Sequence, residues 1–404
     1  MAEFDSVIRS RRVVTPEGSG PRAVGIRDGR IEAVAGYDAA MPARTATDLG
    51  DTALLPGGVD VGTGVHRPGE DLAESYRAVG RAALRGGVTS VVASAAPARP
   101  AVDRVGALGA HRRAAAGTAV SVSFLGGVGA GSGSLDLTDL LAEGVTAFQC
   151  SLSDGGEPDL SALDDSALRR VMAELAAVDA VLLVHAEDSG ELGSPPVGAG
   201  RPPRAERRGL ERVLAAARMA GARTHVHPFT AAECAALLAA AGAVGVELTA
   251  QTCPHYLCLP AESLVPASPA HACRPPLRSE ANRAALWSAL VDPAGPAVTT
   301  VGSGHLPAHG LYTLEWSLSA LWTAARRRRL GLEDVVRWTA QGPADLLGLP
   351  DKGRIGVGAD ADLVAFDSAR PVAVPTGDPS PYAGRELAGA VGPVWIAGHR
   401  VRPE

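Results

Sequence analysis

Two apolar stretches of the sequence end on histidine, and their chemistry can be stated before any fold is assigned. The stretch 180–185 ends at His185, and the stretch 223–227 ends at His227. An imidazole changes its charge near neutral pH, so it can accept or donate a proton in catalysis, and its neutral form is a common metal ligand. His185 and His227 are therefore candidates for acid–base catalysis or for metal binding.

Strand-like apolar runs alternate with alanine-rich helical stretches through the middle of the chain. With the opening strand near residues 54–64, eight such runs predict a closed (β/α)8 barrel over residues 55–349, with helices such as 164–177 and 205–220 between strands. Chemistry in these barrels lies at the C-terminal ends of the strands, where His185 and His227 stand. The seven later runs are 89–93, 119–124, 145–149, 180–185, 223–227, 246–250 and 297–301.

Short β-type runs also occur at both ends of the chain. Residues 6–8, 23–26 and 31–34 precede the barrel, and Asp28-Gly29 between two of them is a hairpin signal. Matching runs return at 361–366 and 392–401. We therefore predict a small discontinuous β-sandwich domain formed by residues 1–54 and 350–404.

The composition excludes several classes of partner and location. The 404 residues carry a formal charge of −6 with both signs interspersed, which gives no basic surface for nucleic acid. The run Arg326–Arg329 is interpreted as the solvated end of a helix. No apolar run reaches the length of a membrane span or a signal peptide. Five scattered cysteines fit free thiols in a reducing compartment, so we expect a cytoplasmic protein.

Seven short motifs lie between residues 56 and 307. They are Pro-Gly-Gly-Val-Asp at 56–60, His-Arg-Pro-Gly at 66–69, His-Ala-Glu-Asp at 185–188, His-Val-His-Pro at 225–228, Thr-Cys-Pro-His-Tyr-Leu at 252–257, Pro-Pro-Leu-Arg at 275–278 and Gly-Ser-Gly-His-Leu-Pro at 302–307. In sequence and in order they resemble the cyclic amidohydrolases, the family of dihydroorotase, hydantoinase and allantoinase. The resemblance covers nearly the whole chain and implies an amidohydrolase-type α/β barrel.

The resemblance also implies a set of six positions that bind two metal ions in that family. Here Gly62 and Gly64 stand at the His-x-His positions, Gln149 at the carbamylated lysine, and Gly304 at the aspartate that also serves as general base. Only His185 and His227 of the set remain. A catalytic zinc site needs about three protein ligands and an open position, so the resemblance predicts a degenerate metal site and no bound metal.

Other site positions of the family have changed as well. His66 stands at the position of the family's substrate-binding arginine, and Ala96 and Arg274 stand at the positions of asparagines in two further motifs. We therefore do not expect dihydroorotate as the ligand. The replacements still converge on one barrel mouth and favour an anionic small molecule. The predicted catalytic residues are His185, His227, His305 and His66, and the predicted substrate-binding residues are Arg67, Arg274, Gln149 and Ser303.

Three hypotheses for function remain open. The first is a metal-independent and cofactor-free enzyme that closes, opens or rearranges a small cyclic amide or ureide ring in a specialised biosynthetic pathway. The second is a non-catalytic, dihydroorotase-like subunit that assembles with aspartate transcarbamoylase. The third is a metal hydrolase with a relocated mononuclear site, joined by His305, His225 or Cys150. We also expect a homo-oligomer.

Two local features near the predicted site allow more than one interpretation. Glu187 and Asp188 follow His185 directly and could orient that imidazole or act as an acid–base pair, but carboxylates at a strand end more often cap the next helix. The Gly/Pro-rich loop 194–203 is long for a connector, so it is predicted to lie over the site.

Overall fold

The computed structural model describes residues 3–154, 160–193, 200–265 and 268–402 of the chain. The N-terminal region is a run of strands whose inward side chains are mainly β-branched or leucine, the residues that pack best on a pleated surface. These strands are β1 (Phe4–Thr15), β2 (Gly18–Arg27), β3 (Arg30–Gly36), β4 (Ala43–Asp48) and β5 (Ala53–Pro56).

The middle of the chain alternates short parallel strands with helices. The strands are β6 (Gly58–Thr63), β7 (Val88–Ala93), β8 (Ser121–Phe124), β9 (Gly126–Gly127), β10 (Ala147–Ser151), β11 (Val181–His185), β12 (Thr224–Val226), β13 (Leu248–Thr252) and β14 (Thr300–Val301). The helices are α1 (Leu72–Arg85), α2 (Val105–Ala115), α3 (Ser134–Ala142), α4 (Asp165–Ala176), α5 (Pro203–Ala220), α6 (Ala235–Ala243), α7 (Pro254–Cys258), α8 (Glu280–Val291), α9 (Ser317–Arg326), α10 (Leu332–Val336) and α11 (Gly342–Leu346).

Parallel pairing arranges these strands as the predicted (β/α)8 barrel. One sheet has the order β6-β7-β8 and the other β14-β13-β12-β11-β10-β9, and β8 leads directly into β9. A backbone hydrogen bond from Gly64 to the His305 carbonyl, 2.8 Å long, joins the segments that follow β6 and β14. The amidohydrolase-type barrel predicted from the motifs is thus confirmed.

The chain returns to the N-terminal sheet through β15 (Leu363–Ala373), β16 (Glu386–Ile396) and β17 (His399–Val401). The sheet order is β17-β16-β15-β5-β1-β2-β3, with β4 beside β1, so both ends of the chain form one hydrogen-bonded sheet. The predicted boundary at residues 54 and 55 falls within β5, which pairs antiparallel with β15 and ends at Pro56. The change from this sheet to the barrel therefore occurs at Gly57.

Lys352 ties this sheet to the barrel. Its ammonium lies 2.6 Å from Asp362, 2.9 Å from Asp360 and 3.2 Å from the hydroxyl of Ser121 in β8. Burial disfavours the charge, but the bonds to the two aspartates outweigh that effect and raise the pKa of Lys352. The contact fixes the sheet at the end of the barrel opposite to the C-terminal ends of the strands.

Two surface features were predicted, a solvated helix end at Arg326–Arg329 and the lack of a membrane span. Helix α9 ends at Arg326, and Arg326, Arg327 and Arg329 are exposed, so the run of arginines is the solvated helix end that was predicted. Within the described ranges, no helix is long and apolar enough to cross a membrane.

Candidate active site

A cavity of about 130 Å³ lies at the C-terminal ends of the barrel strands. An engineered cavity of about 150 Å³ in another protein holds one benzene molecule, so this volume suits a single small ring. Two bulky side chains, Trp287 and Phe229, leave the cavity open, because Trp287 packs against Trp338 and Phe229 is buried outside the lining.

Five of the predicted site residues line this cavity and three do not. His185, His227, His305, Arg274 and Gln149 are in its wall. The other three lie elsewhere. Arg67 pairs with Glu70 at 3.1 Å, Ser303 holds the buried Asp60, and His66 is half-buried without lining the cavity.

His227 is held by a partner on the neighbouring strand β13. The side-chain nitrogen of Gln251 lies 2.7 Å from Nδ1 of His227 and 3.1 Å from the carbonyl oxygen of Val61. A carbonyl can only accept, so the group between them is the amide N–H₂, and Nδ1 of His227 must accept as well. The proton of the neutral ring is therefore on Nε2, and burial keeps the ring neutral by lowering the pKa of His227 to about 4.

His305 has the same tautomer for a different reason. The backbone N–H groups of Thr313 and Leu314 both donate to its Nδ1, at 3.1 and 3.3 Å. A proton on Nδ1 would point at these two donors, so the proton of the neutral ring is on Nε2. Burial, with the nearby Arg67, lowers the pKa of His305 to about 3. The ring is a fixed N–H donor.

His185 presents the opposite polarity. Its Nε2 lies 3.4 Å from a carboxylate oxygen of Glu187, and a proton on Nε2 would face that oxygen. Its Nδ1 is buried and has no hydrogen-bond partner in the described part of the chain, which leaves a lone pair unused. Burial, followed by the charges of Arg201 and His227, lowers the pKa of His185 to about 3. His185 can thus accept a hydrogen bond where His227 and His305 donate one.

Glu187 and Asp188 take separate roles. Glu187 is fully buried and pairs with the equally buried Arg201, whose guanidinium lines the cavity. Burial raises the pKa of Glu187 to about 7. Asp188 instead accepts a hydrogen bond from Gly190 and pairs with Arg212 at 2.8 Å, so only the second carboxylate caps a turn.

Gln149 connects the end of β10 to the loop after β7. Its side-chain oxygen accepts from the hydroxyl of Ser94 at 2.7 Å and from the backbone N–H of Ala95 at 3.0 Å. Its nitrogen lies 3.4 Å from the carbonyl oxygen of Ala96. The amide therefore supports the cavity wall.

The three glycines at family metal positions have no room for side chains. A Cβ on Gly62, where φ is +79°, would overlap Nε2 of His227 and lie 2.8 Å from Cε1 of that ring. A Cβ on Gly64 would lie 2.8 Å from the His305 carbonyl oxygen, and one on Gly304 2.6 Å from Cε1 of His255. Across residues 3–154, 160–193, 200–265 and 268–402, no three histidine, cysteine or acidic side chains are grouped to hold a metal ion.

The described lining also has a consistent electrostatic character. It contains Arg201 and Arg274 but no aspartate or glutamate. His225, one proposed relocated ligand, lies below it with both ring nitrogens bonded, to Thr249 at 2.7 Å and to Thr300 at 3.1 Å. Most of the described lining surface is apolar, and its two charged residues are both basic.

Comparison with known proteins identifies the family of this chain. Residues 53–401 match the sequence profile of the Amidohydrolase family. The chain belongs to the amidohydrolase family. It is 38% identical to the allantoinase of Streptomyces avermitilis over 434 aligned positions, which cover 99% of this chain and 96% of that protein.

Solved structures of other amidohydrolases have the same fold. The L-hydantoinase (dihydropyrimidinase) of Arthrobacter aurescens superposes with a TM-score of 0.90 at 23% identity, covering 98% of this chain and 96% of that one. The dihydropyrimidinase of Brevibacillus agri superposes with a TM-score of 0.87 at 26% identity, covering 98% and 94%. The predicted resemblance to the cyclic amidohydrolases is confirmed.

Several residues of this amidohydrolase site were missed in the sequence. Gln251 carried a signal, because it is a polar residue inside an otherwise buried strand. Arg201 was not named, although it lies in the Gly/Pro-rich loop 194–203 that was predicted to cover the site; residues 194–199 of that loop lie outside the described residues. His255 belongs to the motif at 252–257 and was not among the predicted site residues, but it lines the cavity.

Proposed function

We propose that this protein is an enzyme of the cyclic amidohydrolase type that acts on a small cyclic amide or ureide without a metal centre. The relatives named allantoinase and dihydropyrimidinase support the substrate class. The cavity supports it independently, because its volume suits one ring and its wall offers both kinds of hydrogen-bonding group that an amide needs.

The residues present do not fit a two-metal centre, and the tautomers of the histidines carry this conclusion. A histidine that binds a metal through one nitrogen almost always donates the N–H of its other nitrogen to an acceptor. His227 has the amide donor of Gln251 at that place, and His305 has two backbone donors. Each ring therefore presents an N–H to the cavity, where a metal ligand would present a lone pair.

The same polarity matches a ring amide. The N–H groups of His227 and His305 can bind carbonyl oxygens and stabilise negative charge that develops on them. Nδ1 of His185 can accept a hydrogen bond from the ring N–H of the ligand. Nε2 of His185 faces the carboxylate of Glu187. Arg201 and Arg274 favour an anionic group on the ligand. Proton transfers of this kind contribute about 10²–10⁴ in rate.

The two other hypotheses from the sequence gain no support from these residues. A non-catalytic subunit has no need of an open cavity, and Trp287 and Phe229 leave it unfilled. A relocated mononuclear site would need a third ligand, but both ring nitrogens of His225 are bonded, and the free Nε2 of His305 carries the ring proton. Cytoplasmic location and a homo-oligomeric state remain predictions.

The test is turnover after metal removal. The full chain is treated with EDTA, its metal content is measured by mass spectrometry, and hydantoin, allantoin and dihydrouracil are assayed for ring opening by liquid chromatography. We expect turnover to survive chelation and to be lost in His185→Ala and His227→Ala. His111→Ala is the control, since His111 is also a buried histidine but bonds Tyr76 and Pro100 outside the cavity. Activity that requires added metal, or full activity in both cavity variants, would refute the proposal.

A further inference from the structure

A thiol and an imidazole share the space beside Gly304, where the family has its general base. Sγ of Cys253 and Cε1 of His255 lie 2.8 and 2.6 Å from the position that a Cβ on Gly304 would take. Both residues line the cavity, and each side chain has only 1% of its surface exposed. A side chain at residue 304 would cover the thiol, so the glycine opens the thiol to the ligand space.

His255 has an unsatisfied nitrogen at this place. Its Nδ1 is buried and has no hydrogen-bond partner in the described part of the chain, and this atom is bonded to the Cε1 that faces Gly304. Buried polar groups are nearly always paired, and an unpaired one often marks a catalytic role or a missing ligand. The thiol and imidazole are not yet hydrogen-bonded to each other, as is common before a ligand binds.

We propose that Cys253 is the nucleophile that opens the ring amide, with His255 carrying the proton. This inference rests on the proposed function and supplies what that function lacks, a nucleophile in place of metal-bound hydroxide. Cysteine beside histidine is a recurrent arrangement for acyl transfer. The N–H groups of His227 and His305 would face the carbonyl oxygen under attack.

The step balances with water as the second reactant. Sγ of Cys253 bonds to the ring carbonyl carbon as its proton passes to His255. The ring C–N bond then breaks, and His255 returns the proton to the leaving nitrogen, which gives an open-chain thioester. Water attacks the thioester and gives its proton through His255 to the departing sulfur. The products are the open-chain acid and the free thiol.

The protonation states fit this sequence of transfers. Burial raises the pKa of Cys253 well above its usual value and lowers the pKa of His255 to about 3. The resting pair is therefore a thiol and a neutral imidazole, and the imidazole takes the thiol proton only as the sulfur attacks. Without a base beside it, a thiol this buried would be inert.

Maleimide tests the nucleophile directly. It is a five-membered cyclic imide that fits the ring-sized cavity, and thiols add to its double bond. Peptide mass spectrometry of the full chain should show Cys253 modified at least ~10-fold faster than Cys234, which is also buried, with its pKa raised to about 12, but lies outside the cavity lining. His255→Gln should slow this modification at least ~10-fold. Equal rates at Cys253 and Cys234, or no effect of His255→Gln, would overturn the inference.

Turnover separates this inference from the proposed function. If the wild type opens a ring after chelation, Cys253→Ser should reduce turnover at least ~100-fold while Cys234→Ala retains it. Chelation-resistant turnover that persists in Cys253→Ser would refute the nucleophile and leave the metal-independent function standing. If no ring is opened without metal, the proposed function fails, and the maleimide rates still decide the reactivity of Cys253. Thermal unfolding of each variant confirms that it is folded.

Discussion

Alanine at residue 62 is the most direct perturbation of the space that a metal ligand would need. Gly62 has a φ of +79°, and an added Cβ would meet the imidazole of His227. That ring cannot retreat freely, because Gln251 holds its Nδ1 at 2.7 Å and is itself bonded to Val61. The variant must therefore distort the backbone or break the bond between His227 and Gln251.

The expected cost can be estimated from these two effects. A left-handed conformation costs a non-glycine residue about 1–2 kcal/mol, and an added methyl group in a packed site costs about 1–3 kcal/mol. Gly62→Ala should thus lower the free energy of unfolding by roughly 2–5 kcal/mol. This is a large part of the ~5–15 kcal/mol that stabilises a typical domain.

Urea unfolding followed by tryptophan fluorescence measures this loss. Gly106→Ala is the matched control, because no atom lies within 4 Å of its Cβ position in helix α2 and the helix should gain up to about 1 kcal/mol. A Gly62→Ala variant within ~0.5 kcal/mol of the wild type would show that the space beside His227 is free. In that case a metal ligand could be restored there, and the reasoning against a metal centre would fail.

Gln251→Leu removes the N–H that His227 accepts, so it should cost about 1–3 kcal/mol and free the ring to change tautomer. Nitrogen-15 NMR reports the protonated nitrogen, and loss of Nε2–H as the dominant form is expected. Glu187→Gln removes the carboxylate that pairs with buried Arg201 and should cost about 3–5 kcal/mol in urea unfolding, whereas replacing both residues with methionine should cost less. If the double methionine variant is as unstable as the sum of the single variants Glu187→Met and Arg201→Met, the coupling is disproved. Lys352→Met should cost about 1–3 kcal/mol at neutral pH. Because the pKa of Lys352 is raised, its contribution is fully present below the ordinary lysine pKa and is lost as pH rises through the folded-state value, so wild type and variant should converge in thermal unfolding at strongly alkaline pH.

The sequence by itself determined the architecture and the presence of glycine at three positions that bind metal in the family. The alternation of apolar runs with helical stretches favours a parallel sheet covered by helices, because each run can bury both faces only between helices, and the eight runs predict that the sheet closes into a barrel. His185 and His227 end strands whose positions follow from that alternation, and both line the cavity. Glycine at residues 62, 64 and 304 offers no ligand atom in any fold, so this loss could be stated without coordinates.

The tertiary structure decided which histidines of the site donate a hydrogen bond and which accept one. Whether an imidazole donates or accepts depends on the partner of its other nitrogen, and that partner comes from a different part of the chain. Gln251 sets the tautomer of His227 from a neighbouring strand, and the backbone after His305 sets the second. No local pattern encodes such a contact.

The structure also decided which polar residues reach the cavity. His66, Arg67 and Ser303 stand close to family motifs in sequence, but Arg67 and Ser303 are bonded to Glu70 and Asp60, and His66 lies outside the lining. Arg201 lies in a long loop and carries no motif, yet its pairing with Glu187 holds it in the wall. Side-chain direction depends on packing and on charge partners, which are properties of the folded chain.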